Sequence, residues 1–352
     1  MTFRQEILGK ARRIVIKLGT GLLTDGQNHF ALEQIERIAT QIAALYHEKR
    51  QIIVVSSGAI GAGMAELGLK QRPTKLDELQ AAAAIGQSKL MALYDRLFAK
   101  FGIPVAQVLL THDDLKNRTR HLNAHNTLMT LVERNVIPII NENDTVSVDE
   151  IKFGDNDLLG ALTATLIDAD LLVILSHVEG LLKQGVLVPS VPDITGEIEQ
   201  LAGGTNRVTS VGGMKSKIAA AKIVTRAGIP MVIASGERKD VLTDLLASEE
   251  IGTIFVPKNA KLASRKRWIA FFQRPIGAVI VDDGAALAVR DYGKSLLAKG
   301  ITSLTGQFEK GDVVSIRDKD QVEFARGLAK VGSIQIKSAS GVVVHRDDLV
   351  VL

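Results

Sequence analysis

No cysteine occurs among the 352 residues. That excludes disulfides, thiolate nucleophiles and Cys-type zinc sites, and it fits a reducing compartment. No apolar run approaches the ~20 residues that span a bilayer. The opening Met1-Thr2-Phe3-Arg4-Gln5-Glu6 lacks the apolar core of a signal peptide, so a cytoplasmic protein without membrane contact is expected. Internal repeats, low-complexity tracts and coiled-coil heptads are absent too. Positive charge is scarcer than the net +4 suggests. Residues 1–257 carry 27 basic against 29 acidic side chains, and residues 275–352 carry ten of each. The excess lies in 258–274, with Lys258, Lys261, Arg265, Lys266, Arg267 and Arg274 and no acid. No folded region therefore has a net positive footprint, and RNA binding by the C-terminal part is unsupported by charge.

The length exceeds that of a typical single core, so two domains are expected. Over the first 255 residues, apolar β-rich runs alternate with helical patterns. Strands are read at 13–18, 52–56, 105–110, 136–141, 171–176, 229–234 and 253–256, and helices at 32–49, 76–101, 115–134, 158–166, 215–227 and 239–247. Continuous apolar strands alternating with helices imply an α/β fold, a mostly parallel sheet covered by helices on both faces. From Ile276 the texture changes to short runs, Ala278–Val281, Val313–Arg317, Ile334–Ile336 and Val342–Val344, parted by Gly and Asp, with a short helix at Ala285–Val289. The expected division is 1–257, a solvated basic linker 258–274, and a small β-rich module 275–352.

Chemistry-bearing residues fall in five places. Asn141-Glu142-Asn143-Asp144 ends an apolar strand, and Gly154-Asp155-Asn156-Asp157 opens a helix ten residues on. Acids and amides at the carboxyl end of a parallel strand lie where open α/β sheets bind ligands. The mixture suits a small zwitterion: an ammonium needs an acceptor such as Asp144, and a carboxylate needs donors such as Asn156. The plainer alternative is a polar loop of Asx turns and helix caps. Lys17-Leu18-Gly19-Thr20-Gly21 closes the first strand with a cation and glycines that let backbone N–H groups approach an anion. A P-loop is excluded, because G-x-x-x-x-G-K-[ST] occurs nowhere; an exposed strand-end lysine is the alternative. Ser56-Ser57-Gly58-Ala59-Ile60-Gly61 opens a helix, as an anion receptor or as a tight turn. Gly212-Gly213-Met214-Lys215-Ser216-Lys217 puts two lysines at the positive end of a helix dipole, unfavourable until an anion or solvent relieves it.

Two lysines, an aspartate to orient them and amide donors suffice for phosphoryl transfer to a carboxylate, where two anions must be brought together. The divalent ion, Mg²⁺, would arrive with the nucleotide, and no protein metal site is expected. His121 and His125, at i and i+4 with His112 nearby, are a possible metal face. With no acid at ligand spacing they read better as partly exposed helix residues.

These motifs occur in the order and spacing of the glutamate 5-kinases, a family of the amino acid kinase superfamily, and the end of the chain, Val344-His345-Arg346-Asp347-Asp348, resembles a PUA domain. The resemblance implies an ATP-dependent kinase acting on the γ-carboxylate of L-glutamate in proline biosynthesis. It implies that Lys17 contacts the ATP phosphates, that Ser57, Asp144 and Asn156 hold glutamate, that Lys217 stabilises the transferring phosphoryl group and that Asp157 orients both lysines. The ATP segments would be Ser176-His177 and Val211-Gly212-Gly213-Met214-Lys215-Ser216-Lys217. A homo-oligomer and feedback binding of proline come with it. Departures cluster at the nucleotide end. Ser176-His177 stands for the family's Thr-Asp, Val211 for a threonine, and Glu179-Gly180-Leu181-Leu182-Lys183 for a longer stretch with tyrosine and Asp-Pro. The other readings are a different amino acid kinase, or a catalytically weakened regulatory or RNA-binding protein on the same scaffold.

Overall fold

The apolar runs of the first 255 residues assemble into one eight-stranded sheet in the computed structural model, which describes residues 3–25, 29–146, 156–202, 213–257, 263–336 and 340–352. The chain divides into two compact units, Met1–Lys261 and Leu262–Leu352. In the first, the strands are β1 (Arg13–Leu18), β2 (Gln51–Val55), β3 (Val105–Leu110), β4 (Ile137–Glu142), β5 (Leu171–Ser176), β6 (Leu182–Lys183), β7 (Val186–Leu187), β8 (Ser190–Val191), β9 (Met231–Ser235) and β10 (Thr253–Phe255). The sheet order is β3-β4-β2-β1-β5-β9-β10-β8, and β6 and β7 form a separate antiparallel pair. All pairs from β3 to β9 are parallel, whereas β10 runs antiparallel to β9 and carries β8 with it.

The helices are α1 (Phe3–Lys10), α2 (Thr20–Leu23), α3 (Leu32–His47), α4 (Ala59–Glu66), α5 (Leu76–Ala99), α6 (His112–Lys116), α7 (Arg118–Glu133), α8 (Asp157–Leu166), α9 (Gly196–Leu201), α10 (Met214–Arg226) and α11 (Val241–Leu246). Successive residues of a strand face opposite sides. Ile14, Ile16 and Leu18 of β1 therefore join residues of α3, α5 and α11 in one core. Lys17 points to the other face, where Gly160 of α8 lies against its aliphatic stem. Burial on both faces explains why β4 and β5 contain no exposed residue. Residues 115–134, expected as one helix, are two. Asn117 interrupts them and accepts hydrogen bonds from the backbone N–H groups of Thr119 and Arg120, as a helix cap does.

The register aligns four strand ends. Lys17 lies beside Val55 and Ile174, and Val55 beside Ile140. The carboxyl ends of β1, β2, β4 and β5 thus share one sheet edge, which brings Lys17, Ser56-Ser57, Asn141-Glu142 and Ser176 together. Helix α4 descends from this edge and packs on α5 backbone to backbone. A Cβ on Gly63 would lie 1.8 Å from the Ala82 carbonyl oxygen, and one on Gly86 would lie 1.7 Å from that of Ala59.

The second unit holds α12 (Ser264–Arg267), continuing as a π-helical turn Trp268–Phe272, and α13 (Asp283–Arg290). Its strands are β11 (Gly277–Val281), β12 (Leu296–Leu297), β13 (Ile301–Thr305), β14 (Val313–Arg317), β15 (Glu323–Ala329) and β16 (Val342–Val351), in the order β12-β16-β15-β14-β11-β13. Residues 264–272, expected within a solvated linker, are helical instead. Ile269 and Ala270 pack on Val313, Leu328 and Val350, and Arg326 donates to the Ala270 and Gln273 carbonyls. Apolar side chains interleaved with the basic ones supply this packing. Ile334–Ile336, expected as a strand, is a turn that buries Ile336 and leaves Ile334 79% exposed.

The glycine contact gives a stability test. Gly86→Ala is expected to lower the unfolding free energy in urea by about 1–3 kcal/mol or more, the usual range for overpacking. Gly9→Ala in α1 meets nothing within 4 Å and is expected to raise it by up to about 1 kcal/mol through helix propensity.

Candidate active site

Asp157 opens α8 and is fully buried, where the positive helix end favours its negative charge. Two lysines from distant elements close on it. Lys17 Nζ of β1 lies 2.5 Å from Asp157 Oδ1, and Lys217 Nζ of α10 lies 2.9 Å from Oδ2. Both lysines are nearly buried, at 3% and 4% exposure, so the exposed strand-end alternative for Lys17 falls. Ser216 Oγ lies 3.0 Å from Asp157 Oδ2 and 2.8 Å from the Gly213 carbonyl oxygen. Burial alone would raise the Asp157 carboxyl. The charges of Lys17 and Lys217, and the hydrogen bonds they donate, outweigh it and hold the group at about 2. The triad carries a net single positive charge with almost no water around it. An anion at that place is electrostatically favoured.

Beside the triad is a pocket lined by Thr20, Ser57 to Gly61, Arg72, Asn141, Glu142, Asp144 and Asn156. An amide chain forms its wall. Asn156 Nδ2 donates to the Ser56 carbonyl oxygen at 2.5 Å and to Asn141 Oδ1 at 2.7 Å. Asn141 Oδ1 also accepts from the Glu142 backbone N–H, and Asn141 Nδ2 donates to Gln87 Oε1 of α5. Two backbone groups fix these orientations, since the Glu142 N–H can only donate and the Ser56 carbonyl can only accept. Asn156, expected to donate to a carboxylate, has thus committed both amide hydrogens. Its carbonyl oxygen is what remains for a ligand. Ser57 Oγ is buried with no hydrogen-bond partner among the described residues, a polar atom in want of one. Asp144 sits in the turn after β4, half-buried.

The segments expected at the nucleotide lie next to Lys17. The Gly19 N–H donates to the Leu175 carbonyl at 3.1 Å. A Cβ on Gly19 would stand 3.9 Å from both Lys17 Nζ and Ser176 Cα, and one on Gly21 3.9 Å from His177 Nδ1. Ser176 is buried and His177 exposed. Gly213, Met214, Lys215 and Ser216 form the start of α10, with Lys215 exposed. Val211 and Gly212, like Gly154 and Asp155, lie outside the described residues. Of the histidines, His121 is buried rather than partly exposed, with Nδ1 3.1 Å from the Leu115 carbonyl oxygen. Among the described residues no group of three or more His, Asp or Glu could hold a metal ion.

Arg72 and Gln87 escaped the sequence reading, and Thr20 entered it only as part of the Lys17–Gly21 motif, without a role. Gln87 had a signal, a polar residue in the buried stripe of α5 between Ala83 and Leu90. Arg72, between Gln71 and Pro73 in a polar connection, had none.

The model of the amino acid kinase family matches residues 12–235, and that of the PUA domain residues 277–347. The chain belongs to the amino acid kinase family, with a PUA domain after the kinase fold. Its curated relatives include proteins named glutamate 5-kinase. That of Pelobacter propionicus is 44% identical over 99% of this chain and 100% of its own. That of Moorella thermoacetica is 45% identical over 98% and 97%, and that of Geobacter sulfurreducens 45% identical over 99% and 100%. No helix among the described residues is long and apolar enough to cross a membrane.

The buried triad predicts a pH signature. The folded value of Asp157 is depressed below the ~3.9 of an unfolded aspartate. Its contribution is therefore complete above about pH 4 and is lost as pH falls through about 2. Asp157→Asn leaves two buried ammonium groups uncompensated and is expected to lower stability at pH 7 by about 3–5 kcal/mol. Urea unfolding should show this gap narrowing as the pH is lowered below about 4.

Proposed function

We propose that this chain transfers the γ-phosphoryl group of ATP to the γ-carboxylate of L-glutamate, giving L-glutamate 5-phosphate and ADP, the first step of proline biosynthesis. The observation that carries the reading is the Lys17–Asp157–Lys217 triad beside a pocket of mixed acids and amides. A carboxylate oxygen attacks the γ-phosphorus; an O–P bond forms and the bond to the β-phosphate oxygen breaks. A side-chain carboxylate with an ordinary pKa near 4.3 is already ionised at neutral pH. The reaction therefore needs no general base, and Asp157, held as an anion, is free to position the lysines. What it does need is charge neutralisation where two anions approach. Lys17 serves the ATP phosphates and Lys217 the phosphoryl group in flight. Asp144 takes the substrate ammonium, and Ser57 and Asn156 complete the amino-acid site. Ser176-His177 and 211–217 serve the nucleotide, and Mg²⁺ enters on its phosphate oxygens. A cytoplasmic homo-oligomer subject to proline feedback belongs to the same reading, supported by the resemblance alone.

A hydroxamate assay with L-glutamate, L-aspartate and N-acetylglutamate tests the reaction, and turnover confined to either of the latter two would refute it. Lys217→Ala is expected to lower kcat and kcat/KM together by about 10²–10³; a variant keeping more than half the turnover removes Lys217 from the mechanism. Asp144→Asn is expected to raise KM for glutamate by about 10- to 150-fold, the loss of one charge-assisted bond, with KM for ATP unchanged. Equal rises in both would indicate a structural turn.

A further inference from the structure

The side-chain amides of the pocket wall have little left to donate once their hydrogen bonds are traced. Asn156 has given both amide hydrogens to Ser56 and Asn141, and the Asn141 amide bonds Gln87. The other donors among the described lining residues are the Thr20 and Ser57 hydroxyls, backbone N–H groups at the start of α4, and Arg72, which interacts with the charge of Asp144. Arg72 is the sole cation among those residues, set against Glu142 and Asp144. Lys17 and Lys217 are engaged at Asp157.

An acidic amino acid brings two carboxylates and one ammonium. The reacting carboxylate belongs at the triad and the ammonium at the acidic residues. The second carboxylate is unaccounted for. We propose that Arg72 recognises this non-reacting α-carboxylate, with the buried Ser57 hydroxyl and the first N–H groups of α4 beside it, and so acts as a specificity-determining residue. The assignment rests on the glutamate kinase reading given above.

Arg72 lies in the connection between α4 and α5, and Asp144 follows β4. Burial lowers the Arg72 pKa and the charge of Asp144 raises it, so the two opposite charges share one neighbourhood. A zwitterion can exchange places with this arrangement. Its carboxylate takes over from Asp144 at Arg72, and its ammonium takes over from Arg72 at Asp144. Neither protein charge is left buried and uncompensated in the complex. The planar guanidinium can also meet a carboxylate through two parallel hydrogen bonds, which a lysine cannot.

The test compares wild type with Arg72→Met, which keeps the aliphatic stem, and with Arg72→Lys. The substrates are L-glutamate and 4-aminobutyrate, which retains the ammonium and the reacting carboxylate but lacks the other. Arg72→Met should raise KM for L-glutamate by about 10- to 150-fold, with KM for ATP and the melting temperature unchanged. Its rate with 4-aminobutyrate should equal that of wild type, and Arg72→Lys should recover part of the loss with glutamate. An unaltered KM for glutamate in Arg72→Met overturns the assignment alone, as does an equal loss with both substrates. Absence of glutamate turnover in the wild type overturns the reading of the reaction, and the assignment with it.

Discussion

Three charged side chains are packed into a space that admits almost no water, and they come from three elements far apart in sequence. Lys17 ends the central strand, Asp157 begins α8, and Lys217 lies in the first turn of α10. Isolated, any one of these charges would be expensive to bury. Together they leave one positive charge over, so α8 and α10 are held to the sheet edge by the same attraction that prepares a place for an anion. The pull of the lysines prevails over the desolvation of Asp157, and that keeps the carboxylate an anion throughout the neutral range. The parallel register does the rest, since it sets Lys17, Ser57, Asn141 and Ser176 along one line of strand ends.

Parallel strands are legible in a sequence because burial on both faces demands nearly continuous apolar residues, as in β5. The bounds read for β1 and β3 also match, although Lys17 interrupts the one and Gln107, exposed in an edge strand, the other. Elements set by local polar chemistry were less visible. The apolar spacing continues through Asn117, and only its side-chain bonds to the next turn reveal the break between α6 and α7. In the PUA domain, β15 carries Arg326 and Gly327 within the strand and lacks simple alternation. Lys17 and Asp157 could be singled out from neighbouring glycines and amides. Arg72 and Gln87 acquire meaning through partners more than fifty residues away, which no local pattern encodes. The direction of the Asn156 amide was equally hidden, because it follows from backbone groups that only folding brings beside it.

The two halves of the site have different supports. The side proposed for the amino acid is walled by amides locked in sequence to one another and finally to backbone groups, so its polarity is set by the fold. The side proposed for the nucleotide is built from the Gly19–Gly21 turn, tied to β5 by the Gly19 N–H on the Leu175 carbonyl, and from the start of α10. Substitution at His177, which is exposed, disturbs neither the triad nor the amide wall.

The joint between α4 and α5 bears on how tightly the pocket can grip. Where two helices meet through bulky side chains, rotamer changes let one slide or tilt against the other. At Gly63 and Gly86 the backbones touch with nothing between them, so the contact has no rotamers to explore and no soft direction along which the start of α4 could wander. The ordering of that part of the pocket is completed when the chain folds, and a ligand bound there would forfeit little further conformational entropy in the protein.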